Sequence, residues 1–202
     1  MTAILCFDTE TSNKADFNAP PNAPHQPHLL ELGWIFSPAG TPDGPASRGH
    51  IYVDWPGQVP IYPEAIRVHG LTPTFLDDAG VGPRTCFALM TQMIEKADRI
   101  IAYNIDFDLL VLRAMAARLD RLDQLNDLIG GRDQHCVMRS ATAHCALPGI
   151  RGQYKWPKLE EAHTHFFGAP HTGAHGALAD VEATWRIYWA IRAREKAITP
   201  AE

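Results

Sequence analysis

Residues 2–7, TAILCF, form a short apolar run that stops at two acids, Asp8 and Glu10. The run reads as a buried strand that ends where the polar segment 8–13 begins, and a buried strand must be covered by other layers of structure. In extended chain, residues two apart share a face, so both carboxylates point into one space. There they repel and raise each other's pKa unless a cation lies between them. A D-x-E pair alone is short and common, and two exposed acids at a solvated strand end would look the same.

The covering layers are legible further along. Residues 29–36 (LLELGWIF) and 49–54 (GHIYVD) read as second and third strands, joined through the Pro- and Gly-rich stretch 37–48 as a hairpin with a long turn. Segment 13–27 carries four prolines in fifteen residues without periodicity and reads as a surface loop. Short helices are expected over 63–70, started by Pro and stopped by Gly, and over 72–78. Helical spacing of Cys86, Leu89, Met90, Met93 and Ile94 predicts a helix over 83–97, followed by a strand at 99–103. Further helices are expected over 107–119, 157–167 and 177–196. Strands first, then helix–strand–helix alternation, predict one α/β domain across residues 1–202 with a mixed sheet and helices on its faces.

The chain of 202 residues, 46% hydrophobic and 20% charged, is long enough for one self-sufficient core and excludes wholesale disorder. It has no apolar run of membrane-spanning length and no signal-peptide pattern at MTAILCFDTE, so a cytoplasmic protein without membrane partners is expected. Four cysteines without a C-x-x-C pair suit reduced thiols. The net charge of -5 argues against a broad basic surface, so any nucleic-acid role has to be local and metal-assisted.

Three further residues join the two acids as candidates. Asp108 stands at the first turn of the 107–119 helix, where it serves either a site or the helix dipole as a capping acid, with Asp106 a competitor and Asn104 ending the preceding strand. Asp180 lies near the start of the last helix. His175, five residues earlier, sits on the loop before it, with a side chain whose ordinary pKa suits proton abstraction near neutrality.

Read together, FDTETS (7–12), NIDFDLLVL (104–112) and HGALAD (175–180) resemble, in order, the three motifs of the DnaQ-like (DEDDh) 3′-to-5′ exonucleases. The segments AIRVHGLT, HCVMRSATA and KLEEAHTHFFG also resemble family segments, so the likeness spans nearly the whole chain. The Pro-rich segment 13–27 departs from the family's shorter connection. The resemblance implies a ribonuclease H-like fold with a central mixed sheet of about five strands flanked by α-helices. It implies two divalent ions, Mg²⁺ or Mn²⁺, held by Asp8, Glu10, Asp108 and Asp180, with His175 deprotonating the attacking water. The substrate it implies is a single-stranded nucleic-acid 3′ end, DNA ahead of RNA, released as nucleoside 5′-monophosphates. Thr9, Thr11, His69, Leu71 and Asn104 are the candidates for nucleotide contacts, and a polymerase or another replication or repair protein is a further candidate partner.

Two other patterns compete for attention. Segment 151–158 (RGQYKWPK) interleaves three basic residues with Tyr154 and Trp156, and is either a phosphate-and-base strip or a solvated loop. The pairs His135-Cys136 and His144-Cys145, with His163 and His165, invite a zinc site but lack the short knuckle spacing. The alternatives to a DNA exonuclease are a 3′-to-5′ exoribonuclease or oligoribonuclease, and a non-catalytic nuclease-fold binding module. The last predicts loss of a metal carboxylate or of the histidine, and none is missing.

Overall fold

The acids of the first motif lie inside a strand, not beyond its end. In the computed structural model, which describes residues 2–44, 47–57, 59–173 and 175–198, strand β1 runs Ile4–Thr11. It is extended past the apolar run because β2 (Leu29–Ser37) pairs with it antiparallel as far as Thr11 opposite Leu29, with an irregularity between Glu10 and Thr11. Irregularities of this kind re-aim side chains near sites. Three more strands complete the sheet: β3 (Ser47–Tyr52), β4 (Arg99–Ala102) and β5 (Asp133–Cys136), in the order β3-β2-β1-β4-β5. Strand β2 runs antiparallel to both its neighbours, β1 and β3, while β1, β4 and β5 run parallel.

Among the described residues the helices are α1 (Pro63–His69), α2 (Pro73–Ala79), α3 (Pro83–Lys96), α4 (Ile105–Arg118), α5 (Leu122–Gly130), α6 (Val137–Cys145), α7 (Leu159–Phe167) and α8 (Ala177–Ile198). Proline opens α1, α2 and α3, where its missing N–H costs nothing. Gly70 ends α1 at a φ of 76°, a left-handed turn that glycine adopts without penalty. The helices α5 and α6 and the strand β5 were not foreseen. Three of the four residues of β5 are polar, and a short edge strand needs no apolar run. The expected hairpin connection 37–48 joins β2 to β3, with residues 45 and 46 outside the described ones.

Residue parity sorts the layers. Cys6, Asp8 and Glu10 share one face of β1, and α8 covers it: Cys6 Sγ lies 3.9 Å from the carbonyl of Val181. Thr9 faces the other way and meets α4. With helices on both faces, Ile4, Leu5, Cys6 and Phe7 are fully enclosed, and each such aliphatic or aromatic side chain contributes about 1.5–3 kcal/mol by leaving water. Helix α4 is buried nearly all round, with Leu109, Val111, Leu112 and Met115 in the core. Among the described residues no helix is long and apolar enough to cross a membrane.

The Pro-rich segment is an ordered surface loop. The buried Gln26 side chain donates to the carbonyls of Asp16 (2.7 Å) and Ala19 (3.2 Å), and accepts from the Asp16 backbone. Arg118 of α4 holds the carbonyls of Gln26 and Pro27 and lies over the Trp55 ring. The loop is therefore bolted to the helix that carries Asp108.

Gly33, opposite Asp8 in the β1–β2 ladder, sets how closely α8 approaches the sheet. A Cβ there would lie 2.5 Å from the carbonyl carbon and oxygen of Ala177 and 2.8 Å from the nitrogen of Leu178, all backbone atoms. Gly33→Ala should therefore push the start of α8 off the sheet and cost on the order of 1–3 kcal/mol, read as a lower melting temperature in thermal unfolding. A variant as stable as the parent would show that this contact does not set the helix position.

Candidate active site

Four carboxylates converge at the carboxyl ends of β1 and β4, the edge where open α/β sheets place their ligands. Strand β1 supplies Asp8 and Glu10, and α8 supplies Asp180 from its first turn. One oxygen of each lies within 4.8 Å of the others, the one such group of metal-ligand side chains among the described residues. Helix α4 supplies Asp108, which is buried and accepts a 2.8 Å hydrogen bond from the Thr9 hydroxyl. Asp108 is thus turned into the interior rather than capping its helix. Asn104 holds the N-cap position of α4 without a side-chain cap bond.

Packing like charges together out of water has the expected electrostatic result. Burial raises Asp8 well above the carboxylate range, and Asp108, Glu10, Asp180 and Glu31 push in the same direction. Glu10 is pushed up to about 8, by burial first and then by Asp180, Glu31 and Asp108. Burial carries Asp108 up to about 7 although the Thr9 hydroxyl opposes the rise. The Cys6 thiol beneath them is also raised, by burial and by Asp8 and Asp108, and stays protonated. A donor set of carboxylate oxygens, mutually repelling and without a thiolate, fits a hard divalent cation.

Two side chains that the motifs did not single out hold the cluster together. Glu31 lies opposite Glu10 on β2, is buried, receives His50 Nδ1 at 2.5 Å, and accepts from the backbone N–H of Ala177 at 3.3 Å. It ties the start of α8 to the sheet. A lone acid inside the apolar run LLELGW was the available signal. His171 Nε2 lies 2.7 Å from Asp180 Oδ1, with both side chains largely buried. No periodic pattern marks His171, because it sits on an irregular connection.

His175 is exposed and stands in the left-handed region at a φ of 69°. Its backbone N–H donates to Asp180 Oδ1 at 3.3 Å, so the turn before α8 folds back onto the acid it precedes. Burial lowers the His69 pKa, against the opposing pull of the Thr11 carbonyl and Glu31. His69 Nε2 lies 3.1 Å from the Thr11 carbonyl, and its Nδ1 accepts from the Leu71 N–H at 3.0 Å. A cavity of about 360 Å³ opens beside Glu10, walled by Thr11, Val68, His69 and Phe107, with Lys14 on its lining. Leu71 packs with Leu30 and Leu76 in a small cluster behind this wall. The Thr9 and Thr11 side chains are buried, Thr11 donating to the Asn13 carbonyl.

Three of the residues whose pairing invites a zinc site make other contacts. Cys136 Sγ donates to the Tyr103 carbonyl, His135 contacts Ser140, and His163 contacts the Ala169 carbonyl and Arg186. The guanidinium groups of Arg186 and Arg194 lie over the rings of Phe167 and Phe166.

No protein-family model matches the sequence, and no curated protein matches it significantly. Solved structures do match. Exonuclease I of E. coli in complex with a dT13 oligonucleotide superposes with a TM-score of 0.78 at 20% identity, covering 98% of this chain and 42% of that one. The fold is ribonuclease H-like. A zinc-bound form of the E. coli exonuclease I complex with single-stranded DNA matches at 0.76 and 19% identity over 97% of this chain and 41% of that one. A product-bound exonuclease I matches at 0.76 and 18%, over 98% and 45%. The chain therefore spans less than half the length of these structures, and the likeness concerns the fold. The α/β architecture with a five-stranded mixed sheet agrees with what the three motifs imply.

The raised carboxylates define a pH response. Glu10 and Asp108 bind protons more tightly folded than unfolded, so their contribution to stability is complete below the ordinary carboxylate range and is lost as pH rises through about 7 and about 8. In a chelator, thermal melts should fall from about pH 5 to about pH 8. Added Mn²⁺ should raise the melting temperature most at the alkaline end, and Glu10→Gln should flatten the slope. A metal-free slope unchanged in Glu10→Gln would remove Glu10 from this account.

Proposed function

We propose that the chain is a metal-dependent 3′-to-5′ exonuclease of DEDDh type, acting on single-stranded nucleic acid, DNA in preference to RNA, and releasing nucleoside 5′-monophosphates. The observation that carries this reading is the convergence of Asp8, Glu10, Asp108 and Asp180 from three separate elements beside an open, partly apolar cavity. The alternative of a non-catalytic module gives no reason to retain four repelling acids.

Asp8, Glu10, Asp108 and Asp180 would hold Mg²⁺ or Mn²⁺, which when bound supplies an activated water and neutralises charge building on the phosphate oxygens. Asp8, central on the strand and repelled by all the other acids, would be the carboxylate most relieved by a bound cation. His175, exposed on the turn tied to Asp180, would take the proton of the attacking water. His171 is a positioning residue: its hydrogen bond to Oδ1 limits the orientations open to the Asp180 carboxylate. Val68 and Phe107 offer apolar contact to a terminal base, which stacks without being read for sequence. The imidazole of His69 fixes the cavity wall through Thr11 and Leu71, leaving the main chain of Thr9 and Thr11 near the sugar. Lys14 lies on the lining, where it meets phosphate, and Asn104 supports the start of α4.

The test is release of mononucleotide from labelled single strands, DNA beside RNA, with Mn²⁺ or with a chelator. Asp8→Asn and Asp108→Asn should abolish release, and chelation should do the same. His175→Ala should slow turnover by roughly 10²–10⁴-fold, the range of general-base catalysis, while Mn²⁺ still raises the melting temperature. Absence of mononucleotide from the parent protein under either ion would end the exonuclease reading. An equal loss of Mn²⁺ stabilisation in His175→Ala would make that histidine structural.

A further inference from the structure

Away from the carboxylates, exposed aromatic surface gathers in one place. Ile150, Tyr154 and Trp156 are 85%, 55% and 61% exposed, three of the eight large apolar side chains so exposed among the described residues, within a span of seven. A soluble chain scatters such residues singly, and concentrates them where something binds. The ribbon is not loose. Pro148 and Tyr154 form an antiparallel bridge, Lys155 N–H donates to the Leu147 carbonyl at 3.1 Å, and Arg151 and Gly152 make a left-handed turn at φ of 58° and 78°. Gly149 lies so close to the returning strand that a Cβ would sit 2.5 Å from the Gln153 carbonyl oxygen. Rings presented on such a ribbon lose little freedom on binding.

The C-terminal end of the ribbon is fastened close to elements that hold site carboxylates. The Tyr103 hydroxyl donates to the Pro157 carbonyl at 2.8 Å, and Tyr103 directly precedes Asn104 and the helix of Asp108. Beyond Pro157, α7 leads through His163 and its contact with the Ala169 carbonyl to His171, which meets Asp180. The end of the ribbon is therefore anchored to the residue that follows β4, on the carboxyl edge of the parallel strands where the acids lie. Its chemistry alternates. Tyr154 and Trp156, two apart in extended chain, share a face. Lys155 turns to Glu161 at 2.6 Å, and the exposed Arg151 has no ion-pair or hydrogen-bond partner among the described residues. Aromatic faces beside an unpaired guanidinium complement unpaired bases and phosphates, and every base offers a face to stack.

We propose that the ribbon 150–158 is the docking strip for the part of a single strand that lies 5′ of the terminal nucleotide, with Tyr154 and Trp156 stacking bases and Arg151 meeting phosphate. This rests on the exonuclease reading and goes beyond it by assigning where the uncut strand lies.

The experiment compares hydrolysis of an oligothymidylate of about twelve nucleotides with one of about three, since sites of this kind span roughly 4–16 nucleotides. Trp156→Ala and Tyr154→Ala should each shrink the KM advantage of the long strand by roughly five- to tenfold, as loss of one stacked base does. Trp156→Phe should restore most of it. Arg151→Ala should lower the slope of log KM against log salt by about one phosphate contact. Thermal melts verify that the exposed positions are truncated without unfolding. If the parent prefers the long strand and Trp156→Ala and Tyr154→Ala keep that preference, the strip is wrong and the exonuclease reading stands. If the parent hydrolyses neither strand, the exonuclease reading falls and the strip with it. If Trp156→Ala instead converts a self-associated parent to monomer in sedimentation without changing the length preference, the ribbon is a protein interface and the proposal is overturned.

Discussion

Mutual repulsion among acids that the backbone will not let move apart is the constraint on which the site depends. Asp8 and Glu10 cannot diverge because β1 is clamped by β2 on one side and β4 on the other. Asp180 cannot retreat because Glu31 binds the first N–H of its helix and Gly33 lets that helix press against the strand. Asp108 is held by Thr9, the residue between the first two acids. The result is a place where protons or cations bind more tightly than in water, which follows from burying like charges together. A fold selected only for stability would have relieved this strain with one apolar substitution.

The same constraint resolves the charge balance. Four acids gathered in one cluster account for most of the net charge of -5, and the rest of the chain carries only -1. The surface as a whole is neither attractive nor strongly repulsive to a polyanion. Under the proposed function attraction has to be local, supplied by cations at the carboxylates and by unpaired basic side chains such as Arg151. A metal-free cluster of this kind repels phosphate, so that reading links metal loading to substrate binding.

Much of this was legible in the residues. The apolar runs in residues 2–7 and 29–36 and the helical spacing of Cys86, Leu89, Met90, Met93 and Ile94 mark elements whose burial is one-sided or complete, and these formed close to where expected. The strand β5 was not legible, because its pairing to β4 is made by backbone atoms and its side chains DQHC carry no pattern. The end of β1 was placed too early, because polar residues end a strand only where no partner remains to pair with them, and β2 continues to Thr11. Asp108 left two readings open in sequence, a cap and a buried acid, and only the packing of Thr9 against it separates them. Nothing in the sequence around Arg186 and Arg194 marks the rings they meet, yet their guanidinium groups cover phenylalanine rings of α7. A charged head and a long apolar stem permit both solvent and ring contact, and the neighbouring helix decides.

By itself the sequence determined the layered α/β class and marked the four acids that the fold gathers, because periodicity and residue type are local properties. Asp8 and Glu10 share a face by the geometry of extended chain alone. What only the tertiary structure decided is which distant groups meet. Glu31 comes to lie beside Glu10 through strand pairing across the Pro-rich loop, and His171 reaches Asp180 through a turn of irregular backbone. The ribbon of Tyr154 and Trp156 is anchored at its end to the same edge by one tyrosine hydroxyl. None of these meetings has a period or a motif, because each depends on the whole path of the chain between its partners.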